Sequence, residues 1–81
     1  MEKSIYSPKQ EVLLRLLREV RQEAGVTQVD LAAKLGTQQA MVSNYERGER
    51  RLDLIELQQV CEALGITVSE FVIRFEKATL A

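Results

Sequence analysis

The sequence contains no histidine, no tryptophan and a single cysteine, Cys61. A lone cysteine forms no internal disulfide, and without histidine none of the familiar zinc-binding spacings is present, so we expect no metal. There is no glycine-rich phosphate-binding loop, and we expect no cofactor. Cys61 has no histidine to activate it as a nucleophile. Because it falls on an apolar stripe, we interpret it as a buried structural thiol.

Glycine and proline are also scarce, with four glycines and one proline in 81 residues. Folds built from strands and turns need more of both, so the composition favours a mainly helical chain. No apolar run approaches the roughly 18 residues that span a bilayer, and the N-terminus lacks a signal-peptide core. We therefore expect a cytoplasmic protein with no membrane partner. A chain of this length forms one small domain without a separate catalytic lobe, which argues against an enzyme.

Helix-start signals recur along the chain as a capping residue three positions before glutamine, aspartate or glutamate. They are Ser7 with Gln10, Thr27 with Asp30, Asp53 with Glu56, and Thr67 with Glu70. Together with a further short helix in the middle of the chain, they predict an all-α fold of five helices. We expect these over about residues 8–24, 28–35, 39–47, 54–64 and 68–79. The helices form a single domain over residues 7–81, preceded by a flexible arm over residues 1–6.

Apolar residues recur at three- and four-residue spacing in the longer helices, as in a core-facing stripe. The positions expected to face the core are Leu13, Leu16, Leu17, Val20 and Ala24 in the first helix, Leu54, Leu57, Val60, Cys61 and Leu64 in the fourth, and Val68, Phe71, Val72 and Phe75 in the fifth. In the middle of the chain, Leu31, Ala32 and Leu35 form one apolar face, and the pattern restarts after Gly36 at Val42 and Tyr45. This stretch predicts two short helices joined by a tight turn.

The middle stretch resembles the helix-turn-helix of the lambda-repressor-like family, also called Cro/XRE-type regulators. The residues that carry the resemblance are Gln28, Leu31, Ala32, Gly36, Val42, Tyr45, Glu46, Arg47 and Gly48, and it extends over roughly residues 12 to 71. The resemblance implies a sequence-specific regulator of transcription, typically a repressor, that binds double-stranded DNA. It also implies a homodimer that binds a palindromic operator.

The third helix is implied to be the one that enters the major groove. Val42 and Tyr45 face the core, so the opposite face carries the candidate base contacts Gln38, Gln39, Ala40, Ser43 and Asn44. The amide of Gln39 or Asn44 can bind adenine through N6 and N7, and Ala40 can touch a thymine methyl group. On an isolated helix the same residues would be ordinary solvent-facing side chains.

Four residues are candidate phosphate contacts: Gln28, Arg47, Arg50 and Arg51. Gln28 stands at the N-terminus of the second helix, where free backbone N–H groups and the helix dipole also attract phosphate. The alternative for the arginines is a solvated charged loop. Residues 34 to 51 carry four basic and two acidic side chains, whereas residues 53 to 81 carry two basic and five acidic ones. Such a polarised chain suits an approach to DNA in one orientation.

Three further expectations follow from the resemblance. Arg21 and Glu46 are implied to form a structural ion pair between the first and third helices, the alternative being two solvated charges. The sequence leaves the capping residue of the third helix undecided, since local rules favour Thr37 whereas the family position is Gln38. The fifth helix is longer than is usual in the family. Its extra turns either lie back on the core or form a dimer patch of Ile73, Phe75 and Leu80.

A second class of function stays open beside the regulator. The same fold serves as the antitoxin half of a toxin pair, in which binding a partner protein is the primary activity and DNA binding is autoregulatory. A toxin-like reading frame beside the gene, or a partner that co-purifies with the protein, would separate the two.

Overall fold

A computed structural model describes residues 7 to 80 of the chain. It contains five α-helices: α1 (Pro8–Glu23), α2 (Gln28–Leu35), α3 (Gln39–Glu46), α4 (Leu54–Ala63) and α5 (Val68–Thr79). The all-α prediction is confirmed, and the helix bounds agree with the expected ones to within one residue. The arm predicted over residues 1–6 lies outside the described residues. Between residues 7 and 80, no helix is both long and apolar enough to cross a membrane.

The helices begin at the expected capping residues. The hydroxyls of Ser7 and Thr27 accept hydrogen bonds from the backbone N–H groups three residues on, at 3.1 and 3.0 Å. Asp53 and Thr67 each form a complete capping box with the glutamate three residues later. These bonds satisfy backbone donors that have no partner inside a helix. Local side-chain chemistry therefore sets where four of the five helices begin.

The third helix begins differently. Its cap is Gln38, with extended backbone and no side-chain capping bond, so the local rule that favoured Thr37 is wrong. Thr37 belongs instead to the turn that closes α2, where its backbone N–H donates to the carbonyl of Ala32 at 2.9 Å. Gly36 precedes it with a φ of 69°, the left-handed conformation that glycine adopts without steric cost.

The core lies where the five helices meet. α2 packs on α3 and α4, α1 packs on α3 and α5, and α4 packs on α5. The buried apolar side chains are Leu16, Leu17, Val20, Leu31, Ala32, Val42, Tyr45, Val60, Cys61, Leu64 and Phe71. Burial raises the pKa of the Cys61 thiol to about 11. This thiol is therefore protonated at neutral pH, as the structural interpretation expects.

Three residues expected in the core are exposed instead. Ala24 follows the end of α1 as its cap and faces solvent. Leu54, the first residue of α4, is 69% exposed, and its neighbour Ile55 is 67% exposed. Val72 lies at the edge of the α5 stripe and is also exposed. Periodicity identified the direction of each stripe, but it does not say how far the neighbouring helices extend to cover it.

The long fifth helix packs partly on the core, and its role in a dimer stays a prediction. Phe75 is half-buried and packs against the core. Arg74 ties the helix to α1, since its two terminal nitrogens donate to the carboxylate of Glu23 at 3.0 and 2.9 Å. Ile73 and Leu80 stay 50 and 81% exposed. The extra turns thus lie partly on the core and still present two apolar side chains to solvent.

Phe71 anchors α5, and replacing it with alanine should lower the free energy of unfolding by about 3 to 5 kcal/mol because a cavity forms in the core. The matched control is Val72→Ala, the next residue along the same helix, whose side chain is exposed. Urea unfolding followed by circular dichroism measures both. Equal losses of stability would contradict the placement of α5.

Candidate nucleic-acid interface

The α2–α3 unit is held together by buried apolar side chains. Leu31 and Ala32 of α2 are buried together with Val42 and Tyr45 of α3. Because Ala32 has only a methyl group, the two helix backbones can approach closely where they pack. Burying Val42 and Tyr45 leaves the opposite face of α3 outside the core.

That outer face carries the candidate base contacts. Gln38, Gln39 and Ala40 are exposed at the start of α3, and Ser43 and Asn44 are half-buried one turn later. Gln38 is the cap that precedes the helix, the other four lie on α3, and all five are at least partly exposed. A helix that presents such a row of amides and hydroxyls along its outer face has the groups that read base edges in the major groove.

A buried carboxylate fixes how this face is oriented. Glu46, the last residue of α3, is 2% exposed. Arg21 of α1 donates to both of its oxygens, from Nε at 2.6 Å and from Nη2 at 3.1 Å. The third guanidinium nitrogen donates to the carbonyl of Val26 at 3.0 Å. The hydrogen bond to Glu46 raises the pKa of Arg21. In the structure these two residues form a bridge between α1 and α3.

The same carboxylate reaches the start of α2. Gln28 donates from Nε2 to Oε1 of Glu46 at 3.0 Å, and Gln39 donates from its own Nε2 to Oε1 of Gln28 at 3.3 Å. The candidate phosphate contact on α2 is therefore joined to a candidate base contact on α3. Sequence reasoning missed both bonds, since the side chains come from different helices and no spacing rule connects them.

Arg18 is a further residue that the sequence did not single out. Its guanidinium lies 3.9 Å from a carboxylate oxygen of Glu46 and donates to the Glu46 carbonyl at 3.4 Å. Arg18 stands three residues before Arg21 on α1, one helical turn away. This i, i+3 spacing places both arginines on the same side of α1. It was the one signal in the sequence that could have pointed to Arg18.

Arg47 does not extend away from the helix. It lies just after α3 and folds back, donating to the hydroxyl of Ser43 and to Oδ1 of Asn44, the latter at 2.7 Å. It also donates to both carboxylate oxygens of Glu49, each at 3.2 Å. These hydrogen bonds raise the pKa of Arg47 and lower that of Glu49. The predicted phosphate contact thus lies against two predicted base contacts.

The two arginines of the α3–α4 loop differ. Arg50 is paired with Glu56, donating to its two oxygens at 3.3 and 2.6 Å, and it also donates to the carbonyl of Arg51 at 3.2 Å. Arg51 is exposed. A phosphate contact by Arg50 therefore requires it to exchange one carboxylate for another anion.

These features define a class of protein: a five-helix domain whose compact helix pair presents a polar helix face flanked by arginines. A helix-turn-helix family model matches residues 17–71. The chain belongs to this helix-turn-helix family, and its structural neighbours place it among the XRE-type regulators of transcription, which bind DNA. The resemblance noted from the sequence is confirmed.

Several relatives resemble the chain over most of its length. Antitoxin HipB of Escherichia coli K12 is 35% identical over 65 residues, which cover 80% of this chain and 72% of HipB. An XRE-family like protein from Pseudomonas syringae pv. tomato superposes with a TM-score of 0.85 at 41% identity, covering 96% of this chain and 95% of the other. The restriction-modification controller protein C.Esp1396I, solved as a tetramer on its natural 35 base-pair operator, gives 0.81 at 27% identity, covering 93 and 99% of the two chains.

Replacing Glu46 by glutamine should lower the free energy of unfolding by about 3 kcal/mol, because the Arg21 guanidinium loses its carboxylate in a largely buried site. The control is Glu62→Gln on α4, where the glutamate is exposed and has no ion pair within the part of the chain that the structure describes. Chemical denaturation of both variants measures the difference. Identical midpoints would mean that the Arg21–Glu46 bridge does not stabilise the fold.

Proposed function

We propose that the protein is a sequence-specific repressor that inserts α3 into the major groove of double-stranded DNA and occludes a promoter. The observation that carries the proposal is the bond between Gln28 and Gln39. A group at the N-terminus of α2 suits a phosphate, and a group at the start of α3 suits a base edge. Because one hydrogen bond joins the two side chains, a contact between Gln28 and a DNA phosphate also fixes where Gln39 meets the bases.

The base contacts in this proposal are Gln38, Gln39, Ala40, Ser43 and Asn44. Gln39 is the strongest of them. One of its two amide hydrogens is directed to Gln28, which leaves its oxygen and the second hydrogen for adenine N6 and N7. Ala40, exposed beside it, offers a methyl surface to thymine.

The phosphate contacts in this proposal are Gln28, Arg47, Arg50 and Arg51. Phosphate contacts position a protein on the duplex and give affinity that falls with salt, while base contacts supply the preference for sequence. Arg50 joins them by exchanging Glu56 for a phosphate, so its contribution is reduced by the cost of breaking that pair.

The proposal includes a homodimer on a palindromic operator, since one small module makes few contacts and a two-fold pair doubles them. The operator-bound assembly of C.Esp1396I supports an oligomer by similarity. Ile73, Phe75 and Leu80 form the candidate interface, with Phe75 contributing only its exposed part. Because the target is DNA, the proposal is that of a cytoplasmic regulator and not of an enzyme.

A second function is favoured by one specific finding, the similarity to the antitoxin HipB. In this alternative the chain binds a partner toxin and represses its own operon through the same α3 face. Purification of the protein from its native host separates the two. A stoichiometric partner encoded beside the gene supports the antitoxin, and a homodimer without a partner supports the free-standing repressor.

The division between base and phosphate contacts predicts different effects for two alanine variants. Gln39→Ala should cost about 1 to 3 kcal/mol on the preferred DNA and relax the preference at one position. Arg51→Ala should weaken preferred and random DNA alike and make the salt dependence shallower. Fluorescence anisotropy on DNA from upstream of the gene and on scrambled DNA, across a salt series, measures both.

The control for this comparison is Arg15→Ala, which removes one positive charge from an exposed i, i+4 pair with Glu19 on α1. It should leave binding on both DNAs nearly unchanged. If Gln39→Ala and Arg51→Ala gave equal losses on preferred and random DNA, the assignment of roles would be refuted. Wild-type binding that is weak and identical on both DNAs would refute the repressor itself.

The interface proposal predicts the effect of placing charge on α5. The double variant Ile73→Glu, Leu80→Glu should sediment as a monomer, because two carboxylates would repel across a two-fold axis. Leu54→Glu serves as the control, because it charges one of the two exposed apolar residues on α4, Leu54 and Ile55. It should leave the dimer intact. Analytical ultracentrifugation measures the oligomeric state of both variants. If Leu54→Glu dissociated the dimer and the α5 double variant did not, the interface would lie on α4 and not on α5.

A further inference from the structure

The hydrogen bonds of Arg47 determine which groups the second half of α3 offers to DNA. The Arg47 guanidinium reaches back over the last turn of the helix, donating from Nη1 to the Ser43 hydroxyl and from Nη2 to Oδ1 of Asn44. In both bonds the partner is the acceptor. Two of the side chains that face outward from α3 therefore already use an acceptor position within the protein.

What remains on these two side chains is donor chemistry. The amide nitrogen of Asn44 carries two hydrogens and has no partner among residues 7 to 80. The Ser43 hydroxyl keeps its own hydrogen available once its oxygen has accepted from Arg47. The Asn44 oxygen has a second lone pair, but a charged donor at 2.7 Å holds this oxygen strongly and repels any other donor that approaches. This half of the helix is thus a donor surface.

Bases differ in how well they match such a surface. Guanine presents two acceptors in the major groove, N7 and O6, whereas adenine presents the N7 acceptor and the N6 amino donor. Bidentate binding of adenine by an asparagine needs the amide oxygen and nitrogen together. A positive guanidinium beside the amide also attracts the O6 carbonyl of guanine and repels the amino group of adenine.

We propose that Asn44 reads guanine and not adenine, and that Arg47 is the positioning residue that sets this preference. The inference rests on the proposed function, since it assumes that α3 occupies the major groove. It also revises two expectations from the sequence. Asn44 was a candidate adenine contact, and Arg47 was placed among the phosphate contacts, a role that this inference replaces.

Glu49 supports this role for Arg47. Its carboxylate accepts from Nε and Nη2 of Arg47, and Nη2 is also the nitrogen that donates to Asn44. The same carboxylate offsets the positive charge that a phosphate contact would need, and it would itself be repelled by a phosphate. The pair therefore suits orientation of a neighbouring side chain better than attraction to the DNA backbone.

The test is selection of binding sites from a randomised double-stranded DNA library by the purified full-length protein. The wild type should enrich guanine at one position in each half-site, and Asn44→Ala should abolish the preference there. Arg47→Ala frees the Asn44 oxygen, so the preferred base at that position should change from guanine to adenine. We expect the guanine-to-adenine ratio to change at least about fivefold, the lower range for one bidentate contact.

Two further variants separate positioning from charge. Arg47→Lys keeps the positive charge but lacks the planar group that binds Ser43 and Asn44 together, so it should also lose the guanine preference. Arg15→Ala removes a charge from α1 and should select the same sites as the wild type.

Two results would overturn the inference. One is a wild-type preference for adenine at the position that Asn44→Ala affects. The other is uniform weakening of all sites by Arg47→Ala with the preferred bases unchanged, which is the behaviour of a phosphate contact. A wild type that enriches no sequence at all would instead refute the proposed function, so the two failures are distinguishable.

Discussion

The buried carboxylate of Glu46 is the constraint on which the rest of the interface depends. It ends α3 at 2% exposure, and a carboxylate placed there without donors would be strongly destabilising. Its donors come from two other helices, Arg21 of α1 and Gln28 of α2. One buried charge therefore ties α1, α2 and α3 to one another, in addition to the apolar core that packs them. Because that charge faces inward, the opposite face of α3 is presented to solvent at a fixed orientation.

At this fixed orientation, three side-chain hydrogen bonds divide the outer face of α3 into halves of different chemistry. At the start of the helix, the bond to Gln28 leaves Gln39 with both an acceptor and a donor. At the end of the helix, the bonds from Arg47 leave Ser43 and Asn44 with donors. In this account specificity arises from side chains that the protein has already oriented before DNA arrives, which reduces the ordering cost of binding.

Much of the fold could be predicted from the sequence because its signals are local. Capping pairs such as Asp53 with Glu56 act within one turn, and Gly36 marks the end of α2 by its own conformation. What could not be predicted depends on relations between helices. The exposure of Leu54 reflects how far neighbouring helices extend, and the Gln28–Gln39 bond exists only once α2 and α3 are packed. The direction of the Arg47 side chain is a rotamer choice among competing local acceptors, which spacing alone does not decide.

The central claim is that α3 contacts base edges in the major groove, and methylation interference on a selected binding site tests it most directly. Dimethyl sulfate methylates guanine at N7, in the major groove, and adenine at N3, in the minor groove. If α3 reads the major groove, N7 methylation should block binding at guanines in two half-sites about one helical turn apart, while N3 methylation within those half-sites should not. Interference confined to adenine N3, or none at either atom, would contradict it.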